Sequence, residues 1–172
     1  MLTLVDSLDT LIVLREFERF NEALVLLEEL SFNRDVEVSV FESNIRVLGG
    51  LLSAHQLAIA VNPSLNYSYD GSTLLNHAEN LAKRLLPAFE TATGVPIHRV
   101  NLRTGKIQDE QTTTCPAAGG SFLLEMGLLS RLVGNPIYEE AALKAALGLW
   151  QRRSSLDLVG AMIDTNSGKW YV

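Results

Sequence analysis

Apolar side chains recur every three or four residues along much of the chain, the spacing that places them on one face of an α-helix. Leu4, Leu8, Leu11 and Leu14 begin this pattern, and five later stretches repeat it. The pattern predicts six helices in three successive pairs. They cover residues 3–14, 17–30, 40–61, 73–90, 119–133 and 137–153.

Two stretches lack the helical spacing. Residues 93–118 are polar and carry scattered Gly and Pro, which indicates a long connection between helices. Residues 158–172 have a β-like pattern with a turn signal at Asn166-Ser167-Gly168. This combination predicts a short β-hairpin at the C-terminus.

The three helix pairs suggest a structural repeat. Leu51-Leu52-Ser53 in the third helix recurs as Leu128-Leu129-Ser130 in the fifth, and the helix after each repeats its apolar and small residues at one constant offset. A repeat of this kind would be an αα-hairpin, and several hairpins must pack side by side to bury their apolar faces. Generic helix composition would explain the same short matches.

The composition is typical of one globular domain, with 172 residues, 47% of them hydrophobic and 20% charged. The net charge of −6 and the absence of a basic run weigh against a nucleic-acid partner. A single Cys excludes an internal disulfide and a multi-Cys zinc site. No uninterrupted apolar stretch approaches about 18 residues, and no signal peptide precedes Asp6. We therefore expect a cytosolic protein or a chain that begins inside a larger one.

Four acidic residues lie within strongly apolar stretches, where an unpaired charge would be costly. They are Asp6, Asp9, Glu42 and Glu125, and all four fall on the first helix of a pair. If the first helices form the inner layer of a ring, these carboxylates converge on one cavity. Converging carboxylates are what glycoside hydrolysis needs, since one must donate a proton and another must activate water.

Each acid also has a structural interpretation. Asp6 could stabilise the start of its helix through the helix dipole. Asp9 could bond to Thr10 or to nearby backbone, and Glu42 could form an ordinary i,i+4 ion pair with Arg46. The fourth acid could be a lone charge on a helix edge.

The other chemically interesting residues give weaker signals. Three histidines have no metal-ligand spacing, and core or surface positions explain them better; they are His55, His77 and His98. Cys115 is expected to be a packed residue or half of a bridge to a segment outside the chain. Gly49-Gly50 indicates close helix packing, because no phosphate-binding turn surrounds it. Asn66 begins an N-glycosylation sequon.

One segment carries a family resemblance. The string Val-Phe-Glu-Ser-Asn-Ile-Arg-Val-Leu-Gly-Gly-Leu-Leu-Ser, within residues 38–53, resembles the signature of glycoside hydrolase family 47, the class I α-1,2-mannosidases. Further matches follow the family order at Leu4–Leu11, Arg84–Phe89, Thr93–Pro96, Leu129–Leu132, Gly134–Pro136 and Gly168–Trp170. Ser53-Ala54-His55 and Thr114-Cys115 indicate the branch of ER degradation-enhancing α-mannosidase-like proteins.

The resemblance implies an all-α fold of αα-hairpins. Residues 1–172 would be a partial family domain, truncated at both ends, with about three of the seven hairpins of an (αα)7 barrel and a short β-hairpin at the C-terminus. One departure is Arg15, which stands where relatives usually have Gly after the first helix.

The resemblance also implies residue roles. Glu42 matches the general acid, acting through water on the glycosidic oxygen, and Arg46 matches a substrate-contacting arginine. Asp6 and Glu125 match acids that line the sugar site. The family's reaction inverts the anomeric centre and is assisted by Ca²⁺, whose ligating Thr, together with the candidate base, lies beyond residue 172.

The function that follows from the resemblance is trimming of mannose from high-mannose N-glycans on misfolded glycoproteins during ER-associated degradation. It implies the ER lumen and a possible oxidoreductase partner there. Without base and metal ligand, the isolated chain is predicted to be inactive.

Two further hypotheses remain open. One is a non-catalytic glycoprotein-binding module in ER-associated degradation. The other is an αα-repeat scaffold without a sugar site, which predicts that Asp6, Glu42 and Glu125 point to solvent or away from each other.

Overall fold

Helices dominate the computed structural model, which describes residues 1–61, 69–106 and 112–171. A 3₁₀ turn at Leu86–Phe89 extends the fourth helix. The helices are α1 (Leu2–Val13), α2 (Phe17–Leu27), α3 (Val40–Val61), α4 (Thr73–Leu85), α5 (Pro116–Gly120), α6 (Leu123–Val133) and α7 (Ile137–Trp150).

The long helices pack as three pairs, α1 with α2, α3 with α4, and α6 with α7. The first helices of the pairs are also neighbours, because α1 contacts α3 and α3 contacts α6. This arrangement confirms the hairpin architecture and puts the acid-bearing helices in one layer. Large side chains fill the space between the layers, among them Phe20, Leu51, Phe122 and Tyr138, each with 0% exposure.

Two small antiparallel sheets join the ends of the helices. One pairs β1 (Glu37–Ser39) with β2 (Arg99–Asn101). The other has the order β3 (Thr113–Thr114), β4 (Met162–Asp164), β5 (Trp170–Tyr171). The pairing of β4 with β5 confirms the predicted C-terminal hairpin.

The predicted long connection over 93–118 also holds short strands that the sequence did not indicate. This stretch contains β2 and β3, and Pro116 begins α5. The strands escaped notice because each has only two or three residues and its partner lies some 50 to 60 residues away in the sequence. Pairing over such distances leaves no local periodicity.

Several helix ends also differ from the prediction. The second helix ends at Leu27 rather than at residue 30, and the last ends at Trp150 rather than at 153. The fourth leaves α-helical geometry after Leu85, just before Pro87, whose ring lacks the N–H that a continued helix needs. The predicted helix 119–133 is split between α5 and α6 by a turn at 121–122.

Helix α3 has 22 residues and is apolar enough to cross a membrane by length and composition alone. No other helix of the described residues meets this criterion. The apolar pattern of the sequence predicts no such helix. Leu48, Leu52 and Ala58 are nevertheless buried, and the helix contacts α1, α4 and α6. Helix α3 therefore packs against three other helices.

Arg15 occupies a left-handed turn at the end of α1, with φ +60. Its N–H donates to the Ile12 carbonyl, and the Glu16 N–H donates to the Leu11 carbonyl. This bonding pattern defines a Schellman motif, whose left-handed position usually holds Gly. The geometry favours Gly, the residue that the family resemblance implies at position 15.

Gly49-Gly50 marks the place where three first helices meet. A Cβ at Gly50 would lie 3.1 Å from the Val5 carbonyl oxygen on α1. A Cβ at Gly49 would lie 3.7 Å from Cγ of Glu125 on α6. The interpretation of this pair as a helix-packing feature is confirmed.

Candidate active site

The candidate site is built on the first turns of α3. Ser39 ends β1 and caps the helix, because its Oγ accepts a hydrogen bond from the Glu42 N–H at 3.3 Å. In a capping box the Glu side chain would turn back to the cap residue. Here the Glu42 carboxylate bonds to Arg46 instead. The cap therefore fixes the helix start, while the carboxylate is held on the outer surface of α3.

Arg46 joins carboxylates from two hairpins. Its Nε donates to Glu42 Oε2 at 2.6 Å, and its Nη1 lies 3.8 Å from Asp6 Oδ2 on α1. The side chains are between one third and one half exposed. The cluster holds two carboxylates and one guanidinium, so it carries an excess negative charge.

A cleft of about 390 Å³ opens at this cluster. Glu42 and Arg46 form its polar part, while Leu2, Val38 and Val47 are among the apolar residues of its walls. A cleft of this size, with a few polar groups among apolar ones, is typical of a small-molecule binding site.

Asp9 lies on the same helix as Asp6 but has another role. Its Oδ2 accepts a hydrogen bond from Ser53 Oγ on α3 at 2.9 Å, and its Oδ1 accepts one from Thr10 at 3.3 Å. The bond to Thr10 agrees with the structural interpretation. The bond to Ser53 links α1 to α3, and neither Asp9 nor Ser53 lines the cleft.

Glu125 enters from the third hairpin. Its Oε2 accepts a hydrogen bond from Asn44 Nδ2 on α3 at 2.8 Å. Its Oε1 lies 3.8 Å from the position of a Cβ at Gly49. Glu125 therefore meets α3 both before and after Arg46 in the sequence, at Asn44 and at Gly49.

The structure thus brings carboxylates from three hairpins to one helix, α3. Asp6 and Glu42 meet on Arg46 and so do not point apart, but both are exposed to solvent, as the scaffold hypothesis also allows. The expectation that the acids are enclosed by apolar residues was wrong, since Asp6 and Glu42 are exposed. The reason is that the apolar neighbours in sequence point to the opposite, buried face of each helix.

The remaining candidates lie elsewhere. His55 is buried and bonds through Nδ1 to the Tyr69 hydroxyl at 3.0 Å, and burial lowers the pKa of its imidazole. Burial also lowers the pKa of His77. Cys115 is a free, half-buried thiol whose Sγ caps α5 by accepting from the Ala118 N–H. Asn66 lies outside the described residues.

Calcium, which the resemblance implies, prefers several oxygen ligands around one point. Within residues 1–61, 69–106 and 112–171, no three His, Cys, Asp or Glu side chains gather closely enough to hold a metal ion. The carboxylates of Asp6 and Glu42 instead face the guanidinium of Arg46. The described residues therefore do not form a calcium site by themselves.

Sequence reasoning missed two residues that hold the site in place. Ser39 could have been found from the spacing Ser-x-x-Glu at 39–42, which is a capping-box signal. Asn44 has no such signal, because its contact with Glu125 spans 81 residues. It becomes visible only once α6 packs on α3.

Comparison with known proteins finds mannosidases and mannosidase-like proteins. The chain is 49% identical over 169 residues to alpha-mannosidase I MNS5 of Arabidopsis thaliana and 45% identical over 171 residues to ER degradation-enhancing alpha-mannosidase-like protein 2 of Homo sapiens. Among solved structures, an alpha-1,2-mannosidase from Trichoderma reesei superimposes with a TM-score of 0.88 at 32% identity.

Each of these matches covers 98% of this chain. The chain spans only 29% and 30% of the two curated relatives and 36% of the solved structure. All of its residues, 1–172, match the family described as glycosyl hydrolase family 47. Together with the helical hairpins, this match establishes that the chain belongs to glycosyl hydrolase family 47.

Proposed function

We propose that this chain supplies the acid side of an α-1,2-mannosidase site that removes terminal mannose with inversion. The observation that carries the proposal is the Arg46 guanidinium, which joins Glu42 of the second hairpin to Asp6 of the first at the cleft. A terminal sugar needs both a proton donor and charged groups that bind its hydroxyls. This cluster offers both kinds of group.

In the proposed reaction, Glu42 delivers a proton through a water molecule to the glycosidic oxygen as the bond to the leaving sugar breaks. Arg46 orients Glu42 and donates hydrogen bonds to the substrate. Asp6 and Glu125 accept hydrogen bonds from sugar hydroxyls. The water that attacks the anomeric carbon needs a base on the opposite face of the sugar.

We further propose that residues 1–172 form about three of seven hairpins of a larger domain, truncated at both ends. The support is the share of each relative that the chain covers, about one third or less. The family's base and calcium-ligating Thr are then supplied from outside residues 1–172. For this reason the isolated chain should hydrolyse no mannoside.

The names of the curated relatives support a biological setting. We propose that the protein acts in the ER lumen on high-mannose N-glycans of misfolded glycoproteins that are destined for degradation. Ca²⁺ dependence, an oxidoreductase partner and glycosylation of Asn66 remain predictions from the resemblance and the sequon.

The test is Glu42→Gln in the full-length protein, assayed for release of mannose from α-1,2-linked mannobiose. General acids typically contribute about 10²–10⁴-fold, so kcat should fall at least about 100-fold. Glu139→Gln is a matched control, because Glu139 forms a 2.6 Å ion pair with Arg131 outside the cleft. A Glu42→Gln protein with the activity of the control would refute the proposed acid.

A second function is glycoprotein binding without catalysis. The charged groups at the cleft, Glu42 and Arg46, would serve sugar binding as well as hydrolysis. This alternative expects Glu42→Gln to leave the disposal of misfolded clients unchanged. The enzyme hypothesis expects both trimming and trimming-dependent disposal to fail.

A further inference from the structure

Asn44 is a buried polar residue that the roles proposed above leave unused. Its side chain has 0% exposure, and Nδ2 donates to Glu125 Oε2 at 2.8 Å. A carboxylate can only accept, so the amide must turn its NH₂ group to Glu125. The carbonyl oxygen Oδ1 is then left buried, without a hydrogen-bond partner in the described residues. A buried acceptor without a partner lowers the stability of a fold. Stability alone therefore does not explain why Asn44 occupies this position.

The backbone of α3 is shaped for this contact. Residues Ser43–Leu48 form a π-helical segment, in which the Gly49 N–H donates to the Asn44 carbonyl five residues earlier. In a regular α-helix, residues five apart would point about 140° away from each other. The wider π turn instead brings Asn44 and Gly49 towards one face, and Glu125 contacts both. Single π turns occur frequently at functional sites.

Glu125 packs beside Gly49. A Cβ at Gly49 would lie 3.7 Å from Cγ and 3.8 Å from Oε1 of Glu125, which is ordinary van der Waals contact. One carboxylate oxygen lies beside Gly49, and the other is bound by Asn44. A charge-assisted hydrogen bond from a rigid helix therefore fixes a side chain that would otherwise rotate about three bonds.

We propose that Asn44 is a positioning residue that holds the Glu125 carboxylate in the orientation in which it accepts sugar hydroxyls. This inference rests on the proposed function, since it assigns Glu125 to the mannose site. Such supporting residues hold a binding group within a fraction of an ångström of its productive position.

The experiment compares Asn44→Leu, Glu125→Gln and the double variant in the full-length protein, with α-1,2-linked mannobiose as substrate. Leucine has nearly the same size but no donor. The lost charge-assisted bond should raise KM about tenfold and change kcat less than about twofold. The unfolding midpoint should change little, because removal of the orphaned acceptor offsets the loss of the hydrogen bond to Glu125. The double variant should have the KM of Glu125→Gln alone, since Asn44 acts through that residue.

The matched control is Asn101→Leu. Asn101 is also buried, and its Nδ2 donates to Asp35 Oδ1 at 2.8 Å, but it lies on β2 away from the cleft. This variant should lose stability and keep its KM. Two results with an active wild type would overturn this inference and leave the proposed function standing. One is a double variant whose KM is raised by the product of the two single effects. The other is an unchanged KM in Asn44→Leu. A wild type without mannosidase activity would overturn the proposed function and this inference with it.

Discussion

Gly50 on α3 lies so close to Val5 on α1 that a Cβ at position 50 would come within 3.1 Å of the Val5 carbonyl oxygen and 3.2 Å of its Cγ1 atom. This close approach sets the distance between the two helices. It also places Asp6, the residue after Val5, within reach of Arg46. A packing feature and a charged cluster therefore depend on the same glycine.

Gly50→Ala should lower the free energy of unfolding by about 1–3 kcal/mol, the usual cost of overpacking. The loss should exceed the gain of about 1 kcal/mol that Ala brings to a helix interior. Gly49→Ala is the matched control, since its Cβ would meet neighbours at 3.5 Å or more. Its stability should be unchanged or slightly higher. Urea unfolding of the two variants measures this, and equal losses would contradict the packing argument.

Arg15→Gly should raise the free energy of unfolding by about 1 kcal/mol, because the left-handed conformation at φ +60 is strained for any residue with a Cβ. Arg15→Ala keeps the Cβ and should bring no such gain. Thermal or urea unfolding distinguishes the two. If Arg15→Ala stabilised the chain as much as Arg15→Gly, the cause would lie in the arginine side chain and not in the backbone.

Asp164 gives a pH-dependent contribution to stability. Its carboxylate accepts hydrogen bonds from the Ser167 backbone N–H, from the Thr112 hydroxyl and from the Ser167 hydroxyl, which lower its pKa to about 2. Because the folded pKa lies below the ordinary value, this contribution is present above about pH 4 and is lost as the pH falls towards 2.

The matching variant is Asp164→Asn, which has no charge to titrate. Urea unfolding of both proteins between pH 2 and pH 5 should show the wild type losing its advantage over the variant as the pH falls. A stability difference that stays constant over this range would show that the carboxylate charge does not contribute.

Asp6→Asn separates function from stability at the candidate site. Exposed ion pairs contribute about 0–1 kcal/mol, so unfolding should change little. In the full-length protein, KM for α-1,2-linked mannobiose should rise about tenfold if Asp6 accepts a charge-assisted hydrogen bond from the sugar. Asp157→Asn removes a comparable Asp–Arg ion pair, with Arg153 at 2.7 Å, and should leave KM unchanged. An unchanged KM in Asp6→Asn would remove Asp6 from the sugar site.

The amino-acid sequence determined the helices and their pairing. Helical periodicity is a local property, because each apolar stripe is set by residues within a few turns of one another. The stripe around Leu8, for example, already identifies the buried face of α1. The resemblance of α3 to a family signature pointed to Glu42 and Arg46 as candidates. Their spacing of four residues also predicts that the two side chains meet on one helix without help from another element.

The tertiary structure alone decided the contacts between distant segments. The pairing of β1 with β2, the approach of Asp6 to Arg46 and the bond from Asn44 to Glu125 join residues that lie 40 to about 80 positions apart. Such contacts depend on how helices pack and on a π turn whose geometry no periodicity reports. Exposure was decided in the same way. The apolar neighbours of Asp6 and Glu42 in the chain turn inward, while these two carboxylates lie at the surface beside Arg46.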